Sequence, residues 1–284
     1  MGIADLLTYA IALESRQAAA AAAAAGAPEV AAPLTVEQAR QRIWLVDTRG
    51  LVTAERAAAE GAKFAAHKRH YAHALEQLGG NAEPPSMELA SIVAAVRPTA
   101  LIGVSAQPAT FTEKVVGAMV DSVAGRGARP VIFALSNPTS KAECTAEQAY
   151  TWTQGAAVFA SGSPFDAVSL ARADGSTQTL VPAQANNAYI FPALGLATLA
   201  VRMRSLPEHT MYTAAAALAG CADGERVRAT GCLFPPLADI LTVSHTIATA
   251  VAADAYECGL ARLEPRPADL PAHIKASMWS PHTE

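Results

Sequence analysis

Neutral amide side chains follow apolar segments at two points in the chain. Asn137 ends the apolar run 131–136, and the pair Asn186 and Asn187 comes later. An amide offers both a donor and an acceptor without adding charge, which suits a small hydroxy- or keto-carboxylate. Residues that directly follow the strands of a parallel sheet lie at the edge where ligands bind. We therefore expect these asparagines to bind a small carboxylate. For each position alone, an Asn that caps a turn is the more common role.

An acidic residue follows another short apolar segment. Asp47 comes directly after residues 43–46 and is followed closely by Arg49. In a dinucleotide-binding fold, an acidic residue at the tip of the second strand accepts hydrogen bonds from the adenosine ribose, whereas a nearby Arg can hold a 2′-phosphate. Asp47 and Arg49 are thus candidate cofactor-binding residues for NAD or NADP. The plainer alternative is an aspartate that caps a turn.

Loops of small residues follow two further apolar segments. The loop 103–109 contains Gly103 and Ser105, which would let a cofactor approach the backbone closely, and the loop 160–165 is similar in composition. Such loops also occur for packing alone or as tight turns, so the motif is weak. We take Gly103 and Ser105 as candidate cofactor-binding residues.

Histidine and cysteine give weaker signals. Three histidines share a spacing of three residues: His67, His70 and His73. The intervening Lys68 and Arg69 would repel a cation, which favours a solvated helix face over a metal site. Cys144 lies at a predicted helix start, where the pKa of a thiol can be lowered, although a structural thiol is the default.

The overall composition favours a large apolar core and gives no support for nucleic-acid or membrane binding. Of the 284 residues, 51% are hydrophobic, and the net charge is −4. This charge offers no attraction for a polyanion, and no apolar stretch is convincing as a membrane span. The four cysteines form no C-x-x-C pair, which favours a reducing compartment. With no targeting segment visible, we predict a cytoplasmic or mitochondrial protein.

Short apolar segments alternate with helical patterns through the middle of the chain. Helices are predicted over 88–96 and after Thr112, and a capping box formed by Thr145 and Gln148 opens another. Strands are predicted at four places: 43–46, 100–104, 130–136 and 157–160. Apolar strands separated by helices predict a parallel sheet with helices on both faces. The expected fold is α/β, with a doubly wound, mostly parallel Rossmann-like sheet.

Both ends of the chain have helical patterns. A helix is predicted from Ile3 to about Gln17, followed by an alanine-rich surface insertion at 18–33. Later helices are predicted over three ranges: 190–203, 210–219 and 237–257. The tail from Glu264 is expected to wrap the surface. We predict a Rossmann-like domain over residues 1–200 and a helical C-terminal extension over 201–284.

Three segments resemble the signature segments of malic enzymes. They are FALSNPTSKAECTAE at 133–147, FASGSPF at 159–165 and QANNAYIFP at 184–192. Shorter stretches match as well: 43–51, 235–240 and 278–281. The resemblance runs from about Gly2 to the end, interrupted by the alanine-rich insertion.

The resemblance implies a reaction and roles for several residues. Malic enzymes oxidise L-malate with NAD or NADP and decarboxylate the intermediate to pyruvate and CO₂, and Mg²⁺ or Mn²⁺ polarises the reacting oxygen. By this resemblance Asn137 and Asn186, with Asn187 adjacent, bind malate, and Asp47 contacts the adenosine ribose. The implied full-length protein is a homo-oligomer, and the charge and apolar pattern of the chain predict no nucleic-acid or membrane partner.

Parts of the family's site have no counterpart in the sequence. The family's general-base lysine, catalytic tyrosine and acidic metal ligands lie upstream of its cofactor domain, and a Gly-rich phosphate loop would precede the first helix. We therefore expect an N-terminally truncated cofactor domain, without the first strand of its sheet, that carries no catalytic residue or metal ligand. Ala183 and Ala185 replace glycines of the family and predict strain in the paired-Asn loop.

Two hypotheses follow for the function. In the first, the chain supplies the cofactor domain and part of the malate site of an active, NAD(P)-dependent malic enzyme. In the second, it is a catalytically inactive domain that acts only as a binding or oligomerisation module.

Overall fold

The computed structural model describes residues 2–26, 31–78 and 87–279. The chain divides into two compact units. The first comprises residues 1–100 and 110–130, and the second comprises residues 101–109 and 131–284. The predicted division at residue 200 stays a prediction.

The first unit is mainly helical. Its helices are α1 (Gly2–Ala24), α2 (Val36–Arg40), α3 (Ala54–Glu60), α4 (Leu89–Val96) and α5 (Glu113–Val123). A hairpin of β1 (Val46–Asp47) and β2 (Gly50–Leu51) and three short 3₁₀ helices (Gly61–Lys63, Ala66–Tyr71 and Leu75–Leu78) complete its described part. The helices predicted at 88–96 and after Thr112 are confirmed. Thr112 caps α5 by accepting a hydrogen bond from the Val115 N–H. The alanine run continues α1 to Ala24 because alanine is the strongest helix former.

The strand predicted over 43–46 is present only at its end, and it does not belong to the expected parallel sheet. β1 covers only Val46 and Asp47, and it pairs antiparallel with β2 across a tight turn. In that turn the Arg49 N–H donates to Asp47 Oδ1 over 2.9 Å, as Asp side chains commonly do in turns. Val46 is 44% exposed, whereas a strand inside a parallel sheet would be buried. Local turn chemistry therefore decides the structure of this segment.

The three histidines do not share one solvated helix face. His67 and His70 are exposed, as expected, but His73 is buried. Its Nε2 is 2.9 Å from the carbonyl oxygen of Ile43, and its ring contacts Trp44 edge-to-face with centroids 4.9 Å apart. The 3₁₀ helix ends at Tyr71, so the spacing of three does not continue on a helix as far as His73.

The second unit combines a sheet with a helical layer. Its strands are β3 (Ala100–Gly103), which begins at the boundary, β4 (Val131–Ala134), β5 (Val158–Ser161), β6 (Val168–Ala171), β7 (Thr177–Leu180) and β8 (Ala183–Gln184). Its helices are α6 (Ala146–Trp152), α7 (Phe191–Ala200), α8 (Glu208–Gly220), α9 (Gly224–Thr230), α10 (Ile240–Glu257) and α11 (Leu270–Ala276). Three 3₁₀ helices lie between them: Thr139–Lys141, Asn187–Tyr189 and Leu237–Asp239.

Four strands form one sheet in the order β3-β4-β5-β8. β5 is parallel to both of its neighbours, β4 and β8, and α6 packs on it. The capping box that opens α6 is present, with Thr145 and Gln148 bonded reciprocally. The predicted α/β, mostly parallel sheet is therefore confirmed. The sequence did not reveal β6 and β7, which pair antiparallel as a separate hairpin.

The helical layer packs around α10. Its buried residues recur at every fourth position in two adjacent rows: Val243, Ile247, Val251 and Ala255, and Ser244, Ala248 and Ala252. This spacing places both rows on one face of the helix, and the small side chains let α7, α8 and α11 approach closely. The helices predicted at 190–203, 210–219 and 237–257 are confirmed, with the last beginning as a 3₁₀ turn.

The tail does more than wrap the surface. It contains α11, whose Leu270 and Ile274 are buried in the same helical core. Across the described ranges, every helix is too short or too polar to cross a bilayer.

Candidate functional site

The carboxyl ends of four strands lie side by side in the second unit. Three backbone hydrogen bonds connect them: Leu135 N–H to Gly103 C=O (2.9 Å), Gly162 N–H to Ala134 C=O (3.1 Å) and Ala185 N–H to Ser161 C=O (2.8 Å). The loops that carry Ser105, Asn137 and Asn186 therefore leave the sheet at the same edge. This is the edge at which α/β proteins bind ligands.

A buried carboxylate ties two of these loops together. Glu143 has no solvent exposure, and its carboxylate accepts hydrogen bonds from Ser136 and Ser105. Ser136 donates from Oγ to Oε1 (2.5 Å) and from its backbone N–H to Oε2 (3.4 Å). Ser105 donates to Oε1 from its backbone N–H (3.2 Å) and its Oγ (3.5 Å). These neutral donors satisfy a buried acid that has no cationic partner among the described residues.

The loop after β3 is held in an unusual conformation. Ala106 and Ala109 have φ values of 54° and 56°, in the left-handed region that alanine rarely adopts. The Ala106 N–H donates to Ser136 Oγ over 2.9 Å, and the Ala109 N–H donates to the Ala142 carbonyl over 3.2 Å. The loop after β4 therefore fixes the shape of the loop after β3. Such strain is concentrated at functional sites.

Asn137 is positioned by the loop that follows β5. The Ser163 hydroxyl donates to Asn137 Oδ1 over 2.7 Å. A side chain on Gly162 would overlap the Leu135 carbonyl oxygen and lie 2.8 Å from Asn137 Nδ2, so glycine is required at this position. One acceptor site of the exposed amide is thus used within the protein, and the bond fixes the orientation of the amide. Its Nδ2 makes no hydrogen bond to any described residue and is available as a donor.

The Oδ1 of Asn186 also accepts an internal hydrogen bond, but from a backbone N–H instead of a hydroxyl. Its Oδ1 accepts the Ala188 N–H over 2.9 Å and thereby caps the 3₁₀ helix that begins at Asn187. Both asparagines are exposed. The turn-capping role is therefore present, and it leaves the Asn186 Nδ2 as a donor at the edge of the sheet.

Next to the pair, the Tyr189 hydroxyl donates to the Pro235 carbonyl (2.7 Å), which anchors the loop to the segment before α10.

The strain predicted for the paired-Asn loop is absent. Neither Ala183 nor Ala185 has a positive φ. Ala183 is fully buried in β8 opposite Ala160, and the Ala185 N–H continues the ladder with Ser161. Ala183 therefore lies in extended strand backbone, and neither alanine has the left-handed backbone that would strain it.

The surroundings of Cys144 favour the default role of a structural thiol over that of a helix-start thiol with a lowered pKa. The helix begins at Ala146 with Thr145 as its cap, and Cys144 is buried. Burial, with a contribution from the adjacent Glu143, raises the pKa of the Cys144 thiol to about 12. A structural thiol is the role that this environment favours.

Asp47, in the first unit, is held by cations. Its Oδ2 accepts from Arg56 Nη2 (2.7 Å) and from Lys68 Nζ, and its Oδ1 accepts the Arg49 N–H. Burial alone would raise the pKa of Asp47, but the hydrogen bonds from Arg56, Lys68 and Arg49 outweigh it and hold that pKa far below its usual range. A carboxylate has about four lone-pair sites, so three bonds leave capacity for one more donor.

Arg49 and Glu60 extend this cluster. The Arg49 guanidinium is 3.1 Å from Glu60 Oε2, and 64% of its side chain is exposed. Glu60 also pairs with Arg56 Nε over 2.8 Å. The Asp47 cluster, by which we mean Asp47, Arg49, Arg56, Glu60 and Lys68, is thus an internal ion-pair network with one exposed cation.

The structure brings some predicted site residues together and leaves others apart. Gly103 ends β3, and Ser105, Asn137, Asn186 and Asn187 follow strands at the same sheet edge of the second unit. Asp47 and Arg49 belong to the first unit. An open cleft of about 410 Å³ between the start of α6 and residues 165–169 contains none of these residues.

The roles of three residues at this edge were not predicted: Glu143, and Gly162 and Ser163 in the small-residue loop 160–165. Each acts on a partner too distant in sequence for a local pattern to reveal it. One signal was present for Glu143, which is a charged residue between two buried apolar ones, Ala142 and Cys144. Such a residue needs partners from elsewhere in the fold.

Comparison with known proteins identifies the family. The NAD-binding domain model of malic enzymes matches residues 17–256. The chain belongs to the malic enzyme family. An NADP-dependent malic enzyme 3 from Arabidopsis thaliana is 44% identical to it over 249 residues, which cover 87% of this chain and 38% of that protein. An NADP-dependent malic enzyme from Sus scrofa is 42% identical over 244 residues, covering 86% of this chain and 40% of that protein.

A solved structure agrees in fold. The malic enzyme of Entamoeba histolytica superimposes with a TM-score of 0.58 and 17% identity, covering 97% of this chain and 53% of that one. The chain therefore spans about two fifths of the length of the curated malic enzymes it matches. The resemblance predicted from the three signature segments is confirmed.

The sheet edge itself does not fit a Mg²⁺ or Mn²⁺ site. These cations prefer several oxygen ligands, above all carboxylates. Glu143 is enclosed and already accepts four hydrogen bonds. Among the residues that the structure describes, three acidic side chains do not gather at this edge.

Proposed function

We propose that this chain is the dinucleotide-binding part of a malic enzyme that oxidises L-malate to pyruvate and CO₂ while reducing NADP or NAD. The observation that carries the proposal is the pair of amide donors, Asn137 Nδ2 and Asn186 Nδ2, at the carboxyl edge of the sheet. The family assignment supports the reaction class, since both relatives described above are named NADP-dependent malic enzymes.

The chemistry of the two amides suits malate. Internal hydrogen bonds from Ser163 and Ala188 use one acceptor site of each Oδ1 and fix the orientation of each amide, so each asparagine presents its N–H groups to a ligand. N–H groups complement carboxylate oxygens, and a hydrogen bond to a charged group contributes about 1.5–3 kcal/mol. In this proposal Asn137 and Asn186, with Asn187 beside them, orient malate by its carboxylates. A divalent cation would be held by ligands other than those of this sheet edge and would polarise the malate hydroxyl.

To test the substrate site, malate binding to the 284-residue chain can be measured by calorimetry. Changing Asn137→Asp or Asn186→Asp replaces a donor with an anion, so we expect binding to weaken at least about tenfold because one hydrogen bond becomes a repulsion. Ser169→Ala, at an exposed serine on β6, is the matched control. Unchanged malate binding in both Asp variants would contradict the assigned site.

We propose that Asp47, Arg49, Gly103 and Ser105 contact the cofactor, and that NADP is preferred. Arg49 supports the preference because its guanidinium is largely exposed and could pair with a 2′-phosphate. Titration of the chain with NADP⁺ and NAD⁺ tests this. Arg49→Ala should lower affinity for NADP⁺ more than for NAD⁺, whereas Arg42→Ala, at an exposed arginine of the same unit, should change neither.

A catalytically inactive domain is the alternative hypothesis. It predicts dinucleotide binding without malate-dependent reduction by any form of the protein that contains this chain. Absorbance of the reduced nicotinamide, followed with and without malate, distinguishes the two hypotheses.

We further propose that the whole protein is a homo-oligomer of the cytoplasm or mitochondrion. Light scattering of the purified protein and imaging of a fluorescent fusion test these two points.

A further inference from the structure

A cluster of three different ligand-type side chains lies where α8 meets α10, among the helices of the second unit. His209 stands in the first turn of α8, Asp254 stands in the last turn of α10, and Cys258 is the C-cap of α10. Because Asp254 and Cys258 are four residues apart on one helix, they project from the same face. The two helices pack closely along their lengths, which brings His209 to this face.

The ligand atoms are close together. His209 Nε2 is 3.3 Å from Asp254 Oδ2, and Cys258 Sγ is 3.8 Å from Asp254 Oδ1. The three side chains can each place one ligand atom within 4.8 Å of the others. A tetrahedral zinc ion has bonds of about 2.0–2.3 Å, so neighbouring ligand atoms in such a site lie roughly 3.3–3.8 Å apart. These two separations, which end on different oxygens of Asp254, are close to the edges of that tetrahedron.

Two of these atoms have no adequate partner. His209 Nε2 and Asp254 Oδ2 are both shielded from solvent, and neither makes a hydrogen bond in the described part of the chain. Their separation is that of an ion pair, but no hydrogen bond forms between them. Buried polar atoms normally find partners, so each one left without a partner requires an explanation. A cation between them would accept electron pairs from both.

We propose that His209 Nε2, the Asp254 carboxylate and Cys258 Sγ bind a divalent cation of the zinc class, with solvent as the fourth ligand. An imidazole nitrogen, a carboxylate oxygen and a thiolate sulfur together select a borderline-soft ion such as Zn²⁺ over Mg²⁺ or Mn²⁺. Cys258 is exposed, which gives the ion access from solvent. The bound ion joins the start of α8 to the end of α10. The site is separate from the sheet edge and does not depend on the proposed function.

The test uses the full 284-residue chain, freed of metal with a chelator and kept reduced. Titration with Zn²⁺ against a chromogenic chelator should show one tight site per chain. Co²⁺ should bind the same site and give a thiolate-to-cobalt charge-transfer band together with the intense visible bands of tetrahedral cobalt. Zinc should also raise the melting temperature, because it binds only the folded arrangement of ligands.

Variants identify the ligands. Cys258→Ser should abolish the thiolate-to-cobalt band and weaken Zn²⁺ binding by at least about tenfold, since losing even an outer-shell partner of a metal costs roughly 10–100-fold. Asp254→Asn should weaken binding similarly. Cys221→Ser, at a partly buried cysteine of the same helical layer, and the double variant His67→Ala/His70→Ala should leave both signals intact.

Because Cys258 is exposed, its serine variant is expected to fold, and circular dichroism checks this directly. If Asp254→Asn does not fold, the cobalt spectrum of Cys258→Ser still decides the question. No stoichiometric Zn²⁺ binding by the wild-type chain, or a cobalt spectrum that Cys258→Ser leaves unchanged, would overturn the site in favour of an interhelical His209–Asp254 ion pair.

Discussion

Asp47 in the first unit and Glu143 in the second are both carboxylates held by several hydrogen bonds, but their partners differ in kind. Asp47 is partly exposed and accepts from two cationic side chains and one backbone N–H. Glu143 has no exposure and accepts only from serine hydroxyls and backbone N–H groups.

The difference shows two ways to stabilise an acid. Charge pairing at a partly exposed site is screened by salt and contributes modestly. Neutral donors around an enclosed acid carry no charge that salt could screen. Removing that acid, however, leaves every donor without a partner. The first arrangement therefore tolerates change, whereas the second makes the sheet edge depend on one residue.

The largest expected effect tests the enclosed acid. Glu143→Ala should destabilise the chain by about 3 kcal/mol, because each buried donor left without a partner costs about 1–3 kcal/mol. Urea unfolding followed by circular dichroism measures this. Glu147→Ala, at an exposed position in the same segment, should cost less than about 1 kcal/mol. Equal losses of stability in the Glu143 and Glu147 variants would show that the enclosed carboxylate of Glu143 contributes no more than an exposed one.

The next-largest expected effect tests the carboxyl edge of the sheet by adding a side chain instead of removing a carboxylate. Gly162→Ala should cost about 2 kcal/mol, since overpacking typically costs about 1–3 kcal/mol and the new methyl group would overlap the Leu135 carbonyl. It should also displace Asn137 and so weaken malate binding. Gly195→Ala is the control: it has open space in α7 and should stabilise the chain by up to about 1 kcal/mol. A Gly162→Ala variant as stable as wild type would mean that the edge adapts readily.

The smallest effect tests the Asp47 cluster. Asp47→Asn should cost about 1 kcal/mol at neutral pH and low salt, a value reduced by partial exposure, and less at high salt. The folded pKa of Asp47 lies below the unfolded value of about 3.9, so its stabilisation is complete above that pH and is lost as the pH falls towards the folded pKa. The stability gap between wild type and variant should therefore narrow below about pH 4.

Urea melts at neutral and acidic pH measure that gap. Asp121→Asn, at an exposed aspartate on α5, supplies the reference and should show no comparable gap. If the stability difference between wild type and Asp47→Asn persists unchanged in acid or at high salt, charge pairing is not what stabilises Asp47. Asp47 would then resemble Glu143 rather than contrast with it.

Local patterns explain what the sequence predicted well. The strands at 100–104, 130–136 and 157–160 and the caps at Thr112 and Thr145 each depend on residues within one turn or one short run. The position of Asn137 at a strand end followed from the same local reading, and the family resemblance identified the correct family.

Non-local contacts explain what the sequence did not predict. The hydrogen bond from Ser163 to Asn137 and those from Ser105 to Glu143 join loops that only the folded sheet brings together. Conversely, residues 43–46 have an apolar pattern typical of a strand, yet the turn at Asp47 folds the chain back on itself. His73 was misassigned because the helix that would expose it ends at Tyr71.

The bonds around Glu143 also have a dynamic consequence. The backbone N–H groups of Ser105 and Ser136 donate to the same carboxylate, and that of Ala106 donates to the Ser136 hydroxyl, so none of the three can open without disturbing the others. Amide hydrogen exchange should therefore release these three protons together, as one cooperative unit, and more slowly than the exposed Arg49 amide, whose only bond is to its own turn.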